Sequence, residues 1–197
     1  MNLIMLLFGC SDSPLVEENY DEQREMISYR IDFGEESATD WVVVNDNVMG
    51  GVSIGDTYYT ETSMVFEGEV STSNNGGFVS FRSPRGEYDL SNFTQVEISY
   101  KSEGHNFSMI LADRLMWYLP EFRLEVLPTS SEWTTTTTSL YDFKQYEMTG
   151  YGDAETGVEM SPDHLSDVIR LELRNSEFAD GEFRLEIDYI EFQGFVE

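Results

Sequence analysis

From Tyr29 onward the chain alternates apolar and polar residues with a period of two, in short runs cut by turn residues, and this limits the fold more than any other feature. Successive side chains on a strand point to opposite faces, so such alternation marks half-buried strands. Tyr29, Ile31 and Phe33 alternate with Arg30 and Asp32. Val96, Ile98 and Tyr100 alternate with Glu97, Ser99 and Lys101, and Phe122, Leu124 and Val126 with Arg123 and Glu125. Ile169, Leu171 and Leu173 oppose Arg170, Glu172 and Arg174, while Phe183, Leu185 and Ile187 lead to a one-residue change of phase at Tyr189-Ile190, which predicts a bulge or an exit bend. Trp133 followed by Thr134 to Thr138 reads as a β-branched strand rather than low complexity. Turn signals fall at Gly55-Asp56, Ser83-Pro84-Arg85-Gly86, Glu103-Gly104, Pro128, Gly150 to Gly157 and Asp180-Gly181. One or two helical turns are expected over Asp163 to Val168, after Ser161 as cap and Pro162 at the first position. The pattern predicts an all-β chain: a jelly-roll β-sandwich of about eight to ten strands with at most one short helix.

Two stretches stand out within the pattern. Trp41-Val42-Val43-Val44 is a β-branched run that breaks into Asn45-Asp46-Asn47-Val48-Met49-Gly50-Gly51-Val52-Ser53, a strand entering a demanding turn. Asn74-Asn75-Gly76-Gly77-Phe78 reverses the order, two amides and two glycines opening onto Val79 to Arg82, and reads as a hairpin-type turn. For Asp46 two readings compete. Its carboxylate can accept backbone N–H groups and lock the turn toward Gly50-Gly51, or, with Asn45, Asn47, Asn74 and Asn75, it can offer oxygens to a structural calcium. Gly50, Gly51, Gly76 and Gly77 are read as backbone-geometry positions, Met49 as a core filler, and Trp41 and Trp133 as core aromatics.

These residues carry a family resemblance. Trp41, Asn45, Asp46, Val48-Met49-Gly50-Gly51-Val52-Ser53, Phe66-Glu67-Gly68 and Asn75-Gly76-Gly77-Phe78 resemble the signature of the complex I intermediate-associated protein 30 family. Leu90 to Phe93, Trp133, Phe143 and Asp180 to Ile187 follow in the family's order, so the resemblance spans residues 31 to 193. It implies a galactose-binding-like β-sandwich, in a family whose best-known members are assembly chaperones for mitochondrial respiratory complex I. Sandwiches of that kind often hold a structural calcium at one end.

The N-terminus reads differently. Residues 1–9 are apolar and uncharged and too short to span a bilayer. Leu7-Phe8-Gly9-Cys10 is similar to a bacterial lipobox, with Cys10 as the acylated residue, although Phe8 is bulky and no basic residue precedes it. The expectation is a signal peptide at 1–9, an acidic flexible tether at 10–28 and one β-sandwich domain at 29–197, held by its lipid at the bacterial cell envelope. Cys10 is the only cysteine, which excludes a disulfide within the chain. With 38 acidic residues against 11 Lys and Arg, the net charge of −27 opposes nucleic acid and leaves the lipid as the only membrane contact.

Catalytic patterns are sparse. His105 and His164 are the only histidines, and there is no Gly-x-Ser-x-Gly elbow and no phosphate-binding loop. The reading is therefore non-enzymatic: a binding or assembly-factor module for a protein partner, with a carbohydrate-binding envelope lipoprotein as the alternative, and no cofactor beyond the calcium considered at Asp46. The partner surface is placed at Leu115-Met116-Trp117-Tyr118, where an apolar cluster interrupts the alternation in a loop.

Overall fold

A computed structural model describes residues 25–34, 37–116, 118–149, 152–175 and 179–196. Residues 1–24, where a signal peptide and most of a tether are expected, lie outside the described residues, as does Trp117. The described chain is a sandwich of two antiparallel sheets. One has six strands: β1 (Glu25–Asp32), β3 (Ile54–Tyr59), β4 (Met64–Val70), β6 (Phe93–Glu103), β9 (Thr134–Ser139) and β13 (Gly181–Val196). The other has seven: β2 (Val42–Asn45), β5 (Val79–Arg82), β7 (Phe107–Ala112), β8 (Glu121–Val126), β10 (Lys144–Thr149), β11 (Gly152–Glu159) and β12 (Arg170–Asn175). The order across the second sheet is β11-β10-β8-β7-β12-β5-β2. In the first, β13 is the spine: β4 pairs with Gly181 to Ile187, β1 with Tyr189 to Val196, and β6 runs along the opposite edge. The predicted change of phase is a register shift between Ile187 and Tyr189.

The alternating apolar residues of both sheets meet in one core. Phe66, Phe81, Phe107, Phe122, Phe143 and Phe192 are essentially fully buried there, with Met64, Leu90, Ile98 and Met109. Trp41 is 8% exposed and packs on Phe33 at 5.2 Å and Phe81 at 5.1 Å between ring centroids, as its core reading requires. The one α-helix among the described residues, α1 (Pro162–Ser166), begins after Ser161, whose hydroxyl accepts from the His164 amide at 3.4 Å. Among the described residues no helix is long and apolar enough to cross a membrane.

Among the described residues thirteen strands replace the eight to ten expected, because half-exposed strands leave little alternation: Gly55-Asp56, read as a turn, lies inside the edge strand β3, and β10 is likewise mostly exposed. Gly150 to Gly157, read as a turn, is mostly β11: a polar edge strand buries no alternating face and so leaves no hydrophobic period. Residues 25–28, read as tether, begin β1 and pair with Val196 to Gln193 as another largely exposed edge. Asn74 to Gly77 is not a hairpin turn. β4 belongs to the six-stranded sheet and β5 to the seven-stranded one, so this stretch crosses between sheets.

Candidate functional site

The Asn45 to Ser53 stretch is also a crossing, from β2 to β3. Because β2 pairs with β5 and β3 with β4, the two crossings are the bent corner of one long hairpin whose strands change sheets together. A corner breaks the hydrogen-bond pairing of both strands, and side chains replace it. Asn45 Oδ1 accepts from the Gly55 amide at 3.0 Å. Asp46, fully buried, accepts from the Ser53 amide at 2.9 Å, the Ser53 hydroxyl at 2.5 Å, the Gly77 amide at 2.7 Å and the Phe78 amide at 3.4 Å. The Ser53 hydroxyl accepts in turn from the Ser71 amide at 2.9 Å. One carboxylate from the first crossing thus fastens the second. Burial alone would raise its pKa, but these donors outweigh burial and hold Asp46 below the usual carboxylate value.

The glycines follow from this carboxylate. A Cβ on Gly51 would overlap the Asp46 carboxyl group, and one on Gly76 would overlap the same group and come 2.7 Å from the Ser71 carbonyl oxygen. Gly50 and Gly77 have φ of 93° and 134°, conformations that favour glycine. The Asp46 carboxylate thus accepts backbone N–H groups, as its structural reading has it, but from Ser53, Gly77 and Phe78 across the corner rather than from Gly50-Gly51. Its oxygens face amide and hydroxyl hydrogens, an arrangement that suits an anion's lone pairs and leaves a calcium ion little to coordinate. Among the described residues no group of three or more His, Cys, Asp or Glu could hold a metal.

Two residues read as core are not. Met49 is 52% exposed, as is its neighbour Val48 at 71%, because the turn that follows Asp46 points both outward. Trp133, 47% exposed, lies on the outer face of the six-stranded sheet, where the Lys101 ammonium sits 4.9 Å from its ring centre. Of the expected partner patch, Leu115, Met116 and Tyr118 are exposed, and Trp117 lies outside the described residues. His164 is occupied locally, its Nδ1 2.9 Å from the Ser161 hydroxyl at the helix cap.

Val48 and Met49 instead form one wall of a groove of about 590 Å³ across the outer face of the seven-stranded sheet. Phe78, Tyr146 and Met148 add apolar surface, and the floor is a row of alternating charges from β5, β12, β8 and β11. Arg82 Nε lies 3.2 Å from Glu172, and Glu172 accepts from Arg174 at 2.7 Å. Arg174 donates two parallel bonds to Glu121, at 2.7 and 2.9 Å. Arg123 joins Glu121 at 2.8 Å to Asp153, and its guanidinium lies 5.3 Å from the Tyr146 ring centre. Burial opposes ionisation of Glu172, yet Arg174 and Arg82 hold its pKa below the usual value, and Glu172 with Glu121 holds that of Arg174 above its own. Paired Arg and carboxylate groups at this spacing fix one another's rotamers, which presents donor and acceptor edges already ordered for a ligand.

Sequence reasoning missed this groove. Its arginines and glutamates occupy ordinary polar positions of alternating strands, and only the sheet order brings β12, β8 and β11 together. The one available signal was arginine enrichment on outward positions of strands whose partners are acidic.

Solved structures with this fold include the family 11 carbohydrate-binding module from Clostridium thermocellum in complex with a β-1,3-1,4-mixed-linked tetrasaccharide. It is 15% identical, with a TM-score of 0.61, and the match covers 85% of this chain and 97% of that one. The family 11 module of the cellulosomal cellulase Lic26A-Cel5E from the same organism is 16% identical with a TM-score of 0.59, covering 86% and 93%. At such identities the likeness shows the fold alone. No curated protein sequence matches the chain. The family pattern described as complex I intermediate-associated protein 30 matches residues 31–187, which include the whole Asp46 corner and every charged residue of the groove floor, and the chain belongs to that family.

Proposed function

We propose that this chain is a non-enzymatic binding module whose ligand lies in the groove of the seven-stranded sheet, and that the ligand is a saccharide. The observation that carries the reading is the ordered row Arg82, Glu172, Arg174, Glu121, Arg123 and Asp153 beneath an apolar wall that includes Tyr146 and Met148. Sugars present hydroxyl pairs to fixed donors and acceptors, and C–H faces to aromatic rings. A groove of about 590 Å³ is of the size that small ligands occupy. The saccharide-bound family 11 module of the same fold supports this choice by analogy. Both Glu121 and Asp153 already accept from guanidinium groups, which fits binding better than catalysis.

The test is thermal melting of the wild type and Tyr146→Ala with neutral and acidic oligosaccharides. A ligand at a hundred times its Kd stabilises the native state by about 2.7 kcal/mol. The expected result is a saturable rise in the wild type that is lost in Tyr146→Ala, whose unliganded midpoint stays close to wild type. No rise with any saccharide would sink the proposal.

A second reading, a protein partner held on the apolar patch, is favoured by the exposure of Leu115, Met116 and Tyr118 beside this sheet and by the family's association with assembly. In either case we infer that Cys10 carries acyl chains and holds the domain at a bacterial cell envelope, with residues after it as a tether.

A further inference from the structure

The chain has 11 Lys and Arg in a net charge of −27, yet six of them, Arg82, Arg85, Arg114, Arg123, Arg170 and Arg174, line the groove and a smaller pocket that continues from it past Leu119. Four carboxylates line the same two spaces, Glu121, Asp153, Asp113 and Glu172, so this is a local excess of positive charge on a strongly acidic molecule. The carboxylates are unevenly shared. Glu172 and Glu121 are taken by Arg82, Arg174 and Arg123, and Asp113 has Arg114 at 3.7 Å. Arg85 and Arg170 have no ion pair among the described residues. Arg85 only reaches the Leu115 carbonyl at 3.4 Å, and the buried Nε of Arg170 has no hydrogen-bond partner. Burial, then Arg85 and Arg82, lower the pKa of Arg170, and the nearby charge of Glu172 offsets them only in part. The pocket between them is about 140 Å³, room for one small group.

Resting on the saccharide reading, we infer that the ligand is an acidic saccharide, and that one carboxylate or sulfate of it enters this pocket to be held by Arg85 and Arg170 while neighbouring sugar units lie in the groove over Arg174 and Tyr146. An unpaired guanidinium offers planar, charge-assisted donors to just such oxyanions. A partly desolvated anion would relieve the repulsion between Arg85 and Arg170 that Glu172 offsets only in part.

Calorimetric titrations of the tag-free domain compare an oligogalacturonate tetrasaccharide, a sulfated cello-tetraose, neutral cello-tetraose and inorganic sulfate. The acidic tetrasaccharides are expected to bind at least tenfold more tightly than the neutral one. That preference should fall as salt rises from about 0.05 to 0.5 M, where screening shortens to a few ångströms. Arg85→Gln, at an exposed site, should remove most of the preference at an unchanged melting midpoint, and Arg170→Gln should do the same if it folds. Equal or tighter binding of the neutral sugar, or a preference that survives Arg85→Gln, would overturn the inference and leave the saccharide reading standing. Inorganic sulfate binding as tightly as the acidic tetrasaccharides would also overturn it, reducing the pocket to a simple anion site. If no saccharide binds, both readings fall.

Discussion

Replacing Asp46 by Asn keeps the size and shape of the side chain and removes its charge, so the corner can be tested without making a cavity. In the native fold the carboxylate accepts from Ser53 N at 2.9 Å, Ser53 Oγ at 2.5 Å and Gly77 N at 2.7 Å, with a longer contact to Phe78 N at 3.4 Å. An amide can serve only one side of this set, because its NH₂ group would face donors on the other. Hydrogen bonds to a charged group contribute about 1.5–3 kcal/mol each, and orphaned buried donors cost about 1–3 kcal/mol. Losing the Gly77 side alone therefore predicts a destabilisation of about 3 kcal/mol, a large share of the roughly 5–15 kcal/mol that holds a domain together. With a urea slope of about 2 kcal/mol per molar, the midpoint should fall by about 1.5 M, read from the fluorescence of buried Trp41. Acid adds a second reading. The Asp46 pKa is depressed in the fold from an ordinary value of 3.8, so its contribution is fully present above that pH and is lost as pH falls through the lower folded value. The stability gap between wild type and Asp46→Asn should be constant at neutral pH and close only below 3.8. A midpoint shift under about 0.3 M at unchanged slope would refute the role given to Asp46.

Other outcomes follow from the same geometry. Gly51→Ala should cost on the order of 2 kcal/mol in the wild type and distinctly less in an Asp46→Ala background, since the methyl group would occupy the carboxylate's space; additive effects in a double-mutant cycle would contradict this. Gly77→Val, at a φ of 134°, should lose about 2 kcal/mol or more by urea titration, and an unchanged midpoint would mean the glycine is not required by the backbone. Melting curves with calcium and with chelator should coincide, because Asp46's oxygens are committed to N–H and O–H donors; a calcium-dependent rise would restore the cation reading. In cells, labelled palmitate should enter the full-length chain and not Cys10→Ser, and equal labelling of both would remove the lipid anchor.

The sandwich was legible because burial on one face writes itself into alternation: Phe107, Met109 and Leu111, or Phe183, Leu185 and Ile187, point inward wherever the strand lies in the sheet. Strands that bury little leave no such record, which is why β11 and the start of β1 read as turn and tether. Asp46 was legible as a turn lock because an acid between two asparagines, followed by paired glycines, has few other structural uses. Its partner across the corner was not, since Gly77 is 31 residues away and the bond depends on both strands changing sheets at one place. Met49 and Trp133 misled because an apolar side chain in a strand-and-turn context is ordinarily core, whereas here Met49 walls the groove and Trp133 covers Lys101. The groove itself depends on non-neighbouring strands: Arg174 and Glu121, joined by two bonds, are 53 residues apart.

If the outer face of the seven-stranded sheet is the ligand seat, backbone amide chemical-shift mapping will locate a bound saccharide there. The isotope-labelled domain would be titrated with the mixed-linked tetrasaccharide and with an oligouronate of equal length. The prediction is a saturable set of shifts confined to β5, β8, β10, β11, β12 and the Val48-Met49 wall, centred on Arg82, Arg123, Tyr146 and Arg174. Saturable shifts on the six-stranded sheet around Lys101 and Trp133, or none with either saccharide, would contradict it.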